Sequence, residues 1–269
     1  MSAIEVEGLS LGRSLRGVSF HLPAGSCSAV IGANGAGKST LLGLLAGALR
    51  PDTGRARCGG PVAYLPEGLG LDGLLRVEAA VALLSGLPGW EPAVGGALLE
   101  RFGLDPKARI GALSMGQRTR LGVALTLGRR ARTYLLDDPF LGLDPMAQVI
   151  VERAISERAA EATVLLGCQH AAAAERLCDH LLLLRAGALL WCAPVDAWRA
   201  RYRRLRVSGP VDVQAALGAL VVHLEPQGGG TVVLVDDPAG MAERQLRVAG
   251  ARVDEQALPL DELLLWVSA

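Results

Sequence analysis

Gly32-Ala-Asn-Gly-Ala-Gly-Lys38-Ser39 carries the strongest structural signal in the sequence. A short apolar run at residues 28–31 precedes it and has the character of a buried strand, whereas residues 40–46 follow with the apolar spacing of a helix. Glycines at this place let successive backbone N–H groups turn toward phosphate oxygens. The order of strand, glycine loop and helix therefore predicts a phosphate-binding P-loop rather than a turn that precedes a lysine by chance.

The P-loop supplies most of the candidate nucleotide-binding residues. Lys38 is expected to reach the β- and γ-phosphates as a point charge, and Ser39 to offer its hydroxyl to Mg²⁺. The N-terminus of the following helix adds a partial positive charge at the same place. The candidate residues of the loop are Gly32, Asn34, Gly35, Ala36, Gly37, Lys38, Ser39 and Thr40.

A second apolar strand, at residues 133–137, ends in two carboxylates. Ligands of parallel sheets bind outside the carboxyl ends of the strands, so acids at a strand end suit a nucleotide site. We expect Asp137 to hold Mg²⁺ through water and Asp138 to face the attacking water. A surface acidic turn is the alternative, because Asp-Asp-Pro is also common turn chemistry.

Composition and charge exclude several other classes of protein. The chain has 269 residues, 51% of them hydrophobic, and its 27 basic and 27 acidic residues cancel, so no overall field recruits nucleic acid. The five cysteines have no metal-ligand spacing and favour a reducing compartment. No apolar run approaches the roughly 18 residues that span a bilayer. We expect a cytoplasmic protein that does not bind nucleic acid. It would associate with the cytoplasmic face of a membrane only by binding a partner chain.

Four motifs together carry a family resemblance. The P-loop, Leu113-Ser-Met-Gly-Gln117, the strand ending at Asp137-Asp138-Pro139 and Leu141-Gly-Leu-Asp144 resemble, in order and spacing, the ATP-binding cassette (ABC) ATPases of membrane transporters. The resemblance runs from about residue 4 to residue 200. It implies an α/β P-loop NTPase fold at residues 1–203, with an antiparallel β subdomain and a helical subdomain at about residues 72–124.

The resemblance also implies cofactors and partners. ATP and Mg²⁺ would bind between two ATPase subunits, in a homodimer or with a related subunit. ATP-driven dimerisation and hydrolysis would be coupled to a separate transmembrane permease. Ser114, Gly116 and Gln117 would contact the ATP held by the other subunit's P-loop. Glu67 stands where the family has its Gln loop, and its oxygens can approach Mg²⁺ or water.

The sequence departs from the family pattern at the catalytic positions. Asp138 stands where Glu is usual, so hydrolysis is expected to be slow. The family has a switch histidine after the next strand. Counting without gaps from Thr163 places Gln169 at its position, whereas a shift of one residue would place His170 there. Both stay open as catalytic candidates. Leu141 replaces a small residue, and no aromatic side chain near residues 11–15 is available to stack on adenine.

Residues 204–269 predict a separate α+β accessory domain. Strands are expected at residues 205–208, 221–224, 231–235 and 251–253, with helices at residues 211–220, 238–248 and 260–267. Such extensions resemble those of exporter-type ABC ATPases. A dimer or partner contact and a domain that merely packs beside the core are equally compatible with this pattern.

Three functions are compatible with these residues. The leading hypothesis is the ATPase subunit of an ABC exporter. The alternative is a catalytically weak regulatory half of a heterodimeric transporter, which the departures at Asp138, Leu141 and Gln169 favour. An ABC-type protein acting on DNA or ribosomes ranks lower, because the chain has one cassette and no basic patch.

Overall fold

The computed structural model describes residues 2–169 and 171–267, and the chain divides into two compact units, Met1–Cys192 and Ala193–Ala269. The sequence predicted a boundary at residues 203 and 204. The observed boundary is earlier because helix Val195–Arg201 runs directly into the first full strand of the second unit, and Trp198 of that helix packs on Tyr202 with ring centroids 5.6 Å apart. None of the described helices is long and apolar enough to span a bilayer.

The first unit is built around two sheets. Its strands are β1 (Ser2–Leu11), β2 (Leu15–Pro23), β3 (Cys27–Ile31), β4 (Thr53–Cys58), β5 (Val62–Leu65), β6 (Thr133–Asp137), β7 (Thr163–Cys168), β8 (His180–Arg185) and β9 (Ala188–Pro194). Its helices are α1 (Lys38–Leu45), α2 (Val77–Ser85), α3 (Pro92–Arg101), α4 (Met115–Leu127), α5 (Pro145–Ala159) and α6 (Ala171–Leu177).

The larger sheet has the strand order β5-β6-β7-β3-β8-β9, and the pairs from β5 to β8 are parallel. Every residue of β3, β6 and β7 is buried, which explains why these strands are continuous apolar runs without alternation. The carboxyl ends of these three central strands lead into the P-loop, the two aspartates and Gln169. The sheet therefore gathers the candidate site at one edge.

The smaller sheet is antiparallel, with the order β2-β1-β4, which confirms the predicted β subdomain. Strand β4 was not predicted: residues 50–54 have turn chemistry, and β4 itself is mostly exposed and lacks alternation. Helices α2, α3 and most of α4 lie within the residues 72–124 for which a helical subdomain was predicted, and Pro88-Gly89 separates α2 from α3. The core below contains Ile4, Leu22, Leu41, Leu135 and Leu182.

The second unit comprises α7 (Val195–Arg201), β10 (Tyr202–Ser208), α8 (Val213–Leu217), β11 (Val221–Gln227), β12 (Gly230–Asp236), α9 (Ala242–Val248), β13 (Arg252–Gln256) and α10 (Leu260–Val267). Its antiparallel sheet has the order β11-β12-β10-β13, so β10 to β13 form the split β-α-β pattern of ferredoxin-like folds. Every predicted strand and helix of this region is present. Helix α8 is shorter than predicted, because Gly218 at φ 53° ends it.

Candidate nucleotide-binding site

The P-loop between β3 and α1 adopts a backbone that requires its glycines. Gly35 and Gly37 have φ values of 78° and 107°, which side chains rarely tolerate. A Cβ on Gly37 would lie 2.4 Å from the Ser14 carbonyl oxygen, and one on Gly32 would lie 2.3 Å from that of Leu184. The loop is therefore held against two neighbouring backbone segments at distances that only glycine permits.

Lys38 lies at the centre of this loop and is only 5% exposed. Its Nζ donates hydrogen bonds to the carbonyl oxygens of Gly32 at 2.9 Å and Ala33 at 3.3 Å. The ammonium group is thus enclosed by carbonyl oxygens of the loop itself. This is the local arrangement expected of a lysine that binds β- and γ-phosphates.

A cleft of about 390 Å³ opens over the loop. It collects most of the predicted residues and one that the sequence did not predict, Ser14, from the turn between β1 and β2. The cleft is lined by Ser14, Asn34, Gly35, Gly37, Lys38, Ser39, Thr40, Glu67, Asp138 and Gln169. No motif in the sequence marks Ser14, since its proximity depends on the packing of that turn against Gly37.

Asp137, the last residue of β6, is 3% exposed, and neither of its carboxylate oxygens has a hydrogen-bond partner among the described residues. Burial raises the pKa of Asp137 to about 6; the neighbouring Ser39 hydroxyl opposes this shift, whereas the charges of Asp138 and Glu67 add to it. A buried carboxylate without a partner, beside a serine hydroxyl, fits a Mg²⁺ ion whose other ligands are phosphate oxygens and waters. Ser39 and Asp137 would hold that ion.

Asp138 follows in an unusual backbone conformation, with φ 44°. Its N–H donates to the Gly167 carbonyl oxygen at 2.8 Å, and its Oδ2 accepts a hydrogen bond from Nε2 of Gln169 at 3.2 Å. Gln169 therefore lies in the cleft, as the count without gaps predicted. His170, the other candidate, lies outside the described residues.

Ser114, Gly116 and Gln117, which were predicted to contact the ATP held by another subunit, do not line the same cleft. Ser114 caps α4: its Oγ accepts from the Gln117 N–H at 3.2 Å, and Gln117 Oε1 accepts from the Ser114 N–H at 2.8 Å. A Cβ on Gly116 would lie 2.5 Å from the Gly142 carbonyl oxygen, so the start of α4 packs closely on the loop before α5. Ser114 is exposed, and its hydroxyl keeps a proton to donate.

A second, larger groove of about 670 Å³ adjoins the first. Residues from the loop after β5, the start of α4 and the loop after β6 line it, and they include Leu71, Met115, Arg118 and Leu141. Glu67 and Asp138 line both grooves. The exposed Glu67 loop thus connects the phosphate site with an open surface groove.

A glycine loop with a buried lysine, facing an unpartnered aspartate at the end of a parallel strand, defines a P-loop nucleotide-binding ATPase. A family model described as ABC transporter matches residues 15–141. The Fe(3+) ions import ATP-binding protein FbpC 1 of Rhodococcus jostii (strain RHA1) is 31% identical over 97% of this chain and 86% of its own length. The Nod factor export ATP-binding protein I of Burkholderia lata is 30% identical over 93% of this chain and 90% of its own.

The fold of the chain is also similar to solved structures of ABC ATPase subunits. A solved ATP binding subunit of an ABC transporter is 29% identical and has a TM-score of 0.66, covering 74% of this chain and 92% of that one. The chain therefore belongs to the ATP-binding subunits of ABC transporters, and it is an ABC-type ATP hydrolase. ABC ATPase subunits dimerise and work with membrane subunits.

Proposed function

We propose that the chain is the ATPase subunit of an ABC exporter, and that it couples ATP-driven dimerisation and Mg²⁺-dependent hydrolysis to a separate permease. The observation that carries this proposal is the division of the predicted ligands between two places on one chain. Lys38, Ser39 and Gln169 line one cleft, whereas Ser114 and Gly116 lie outside it. A second copy, or a related subunit, supplies the missing donors.

The dimer would work as a switch driven by the γ-phosphate. The exposed Ser114 hydroxyl and the N–H groups at the start of α4 are suitable donors to a phosphate carried by the other subunit. ATP then links the two subunits, and loss of phosphate after hydrolysis removes the link. A Mg²⁺ ion held by Ser39 and Asp137 would supply positive charge that stabilises the transferring phosphoryl group.

The permease would receive this change through the larger groove. Glu67 lines both the phosphate cleft and the larger groove. Binding or release of the γ-phosphate can therefore shift the wall of the larger groove, which would face the permease. The permease would hold the chain at the cytoplasmic face of the membrane. Similarity to Nod factor export proteins supports the export direction, whereas similarity to an iron import protein supports the opposite one.

Turnover and co-purification test this function. We expect the purified chain to hydrolyse Mg-ATP and Lys38→Ala to lose ATP binding, because the ammonium group held in the loop would no longer be there to bind the phosphates. Tagged protein should also purify with a polytopic membrane protein. Turnover that Lys38→Ala leaves intact would remove the P-loop from the mechanism.

The contact between Asp138 and Gln169 favours one second candidate, a regulatory half with little activity of its own. In that case the purified chain would bind Mg-ATP but not hydrolyse it alone. Turnover would appear only with a partner ATPase, and Lys38→Ala in this chain would leave most of it intact.

A further inference from the structure

Two buried thiols lie side by side in the first unit, at the end of β3 that is opposite the P-loop. Cys27 is the first residue of β3, and Cys178 directly follows the last residue of α6. Their Sγ atoms are 3.7 Å apart, and the two residues are only 4% and 7% exposed. The fold thus brings into contact two sulfur atoms whose residues are 151 positions apart in the chain.

Main-chain hydrogen bonds hold the two segments in this position. The Cys27 N–H donates to Oδ2 of Asp179 at 2.9 Å, and the Asp179 N–H donates to the Cys27 carbonyl oxygen at 2.7 Å. The Cys178 N–H donates to the Ala174 carbonyl oxygen at 2.9 Å, in the last turn of α6. Strands β3 and β8 pair in parallel immediately beyond. The contact between the thiols is therefore fixed by the main chain on both sides.

A sulfur–sulfur bond between these residues requires only a small movement. Such a bond is about 2.05 Å long, so the two Sγ atoms have to approach each other by roughly 1.7 Å. Rotation of the two side chains can supply a shift of this size while the hydrogen bonds between Cys27 and Asp179 stay in place. The folded chain is therefore already close to the geometry of a disulfide.

The surroundings of Cys178 select the reagents that can oxidise it. The hydrogen bond with Cys27 and burial raise the pKa of the Cys178 thiol well above its usual range. Because the thiolate is the reactive form and the sulfur is buried, bulky thiols and disulfides react slowly here. In a reducing compartment such a pair stays as two thiols except during transient oxidation. A small oxidant suits this site best.

From this geometry we propose that Cys27 and Cys178 form an oxidation site, at which a small peroxide converts the two thiols into a disulfide that joins α6 to β3. Neither cysteine is among the described residues that line the phosphate cleft. The inference therefore goes beyond the proposed transport function and is independent of it. The oxidant belongs to the peroxide class, of which hydrogen peroxide is the simplest member.

The oxidation proceeds in two balanced steps. One sulfur, as its transient thiolate, attacks a peroxide oxygen; the O–O bond breaks, and the products are a sulfenic acid and one water. The other sulfur then attacks the sulfenic sulfur, so the S–O bond breaks, the S–S bond forms and a second water leaves. The two thiols lose two electrons, which hydrogen peroxide gains, and both thiol protons end in water. A dithiol reductant reverses the change.

The disulfide would stabilise the fold without blocking the nucleotide site. It would close a ring that spans 151 positions of the chain, and such a ring restricts the unfolded chain more than the folded one. Cys27 is separated from Ile31, the last residue of β3 before the P-loop, by roughly 13 Å of extended strand. Binding of Mg-ATP should therefore survive the oxidation.

Oxidation of the purified full chain tests the site. Hydrogen peroxide at low molar excess is added to the reduced chain, the remaining thiols are alkylated under denaturing conditions, and the peptides are analysed by mass spectrometry. We expect an intramolecular link between Cys27 and Cys178 that dithiothreitol reverses. The oxidised chain should show a Tm higher by about 5 °C or more and a Kd of Mg-ATP unchanged within about threefold.

Variants identify the thiols that are responsible. Cys27→Ala and Cys178→Ala should each abolish the link and the rise in Tm, whereas Cys192→Ala, which removes a thiol outside the pair, should keep both. The mass spectrum of the wild type decides the question even where a core variant fails to fold. Complete alkylation of Cys27 and Cys178 while Cys58 or Cys192 is oxidised would overturn the proposal, as would a link between two chains or a lower Tm after oxidation.

Discussion

Asp137→Asn gives the sharpest prediction for the folded chain without nucleotide: we expect the variant to be more stable than the wild type. Asp137 is 3% exposed and neither carboxylate oxygen has a partner within the described part of the chain. A charged group buried in this way costs free energy unless a cation compensates it. An asparagine of nearly the same shape removes that charge.

The size of the effect follows from the pKa. Burial raises the pKa of Asp137 from 3.8 to about 6. A rise of about two units corresponds to about 3 kcal/mol of destabilisation at neutral pH. The asparagine amide is itself left without partners, which costs about 1 kcal/mol or more. We therefore expect a net gain of about 2 kcal/mol, or about 4–8 °C in Tm for a chain of this size.

The sign of the pH dependence is fixed by the direction of the shift. Because the folded state holds the Asp137 proton more tightly than the unfolded state, the penalty is fully present above the folded pKa of about 6. It disappears as the pH falls from 6 toward 3.8. The advantage of Asp137→Asn over the wild type should therefore shrink steadily across this window.

Urea unfolding with EDTA at a series of pH values measures both quantities. Asp138→Asn is the matched control, because Asp138 is half-buried and already has Gln169 as a partner. Mg-ATP should stabilise the wild type, and Asp137→Asn should lose the part of that stabilisation that depends on Mg²⁺. An Asp137→Asn chain that is no more stable at pH 7.5, or a gain that does not shrink on acidification, would refute the reasoning.

Four further variants, at three positions, test the geometry of the site. Gly37→Ala places a Cβ 2.4 Å from the Ser14 carbonyl oxygen at φ 107°, so equilibrium binding should show a loss of ATP affinity of tenfold or more, on the order of 1.4 kcal/mol. Asp138→Glu should hydrolyse ATP at least as fast as the wild type in a steady-state assay; a large loss would show that the site requires the shorter acid. Ser114→Ala should lower the free energy of unfolding by about 1 kcal/mol through the lost helix cap, whereas Ser114→Asp should keep the cap and still repel an incoming phosphate. Equal stability of the serine and alanine forms would contradict the capping role.

Much of this fold could be predicted from local sequence. The P-loop and strands β3, β6 and β7 have strong signals, because continuous apolar runs beside glycines or acids have few other interpretations. The elements of the second unit that follow α7 were also predicted, since glycines separate most of them. Strand β4 was missed, because its exposed residues do not alternate and its pairing with β1 is not local.

The site was only partly predictable, because its remaining features depend on contacts between distant segments. Ser14 reaches the cleft through a turn that carries no motif. The bond from Gln169 to Asp138 joins two strand ends and follows from the register of β6 and β7. That Glu67 lines both grooves could not be inferred from the sequence either, because it depends on how the loop after β5 packs.

The most direct test of the account is the oligomeric state of the full chain with nucleotide. Sedimentation equilibrium should show a monomer without ligand and a dimer with Mg²⁺ and a non-hydrolysable ATP analogue, because the phosphate must contact the P-loop of one copy and Ser114 of the other. Ser114→Asp should remain monomeric under both conditions. A wild-type chain that binds the analogue yet stays monomeric would contradict the claim that two copies of this surface enclose the triphosphate.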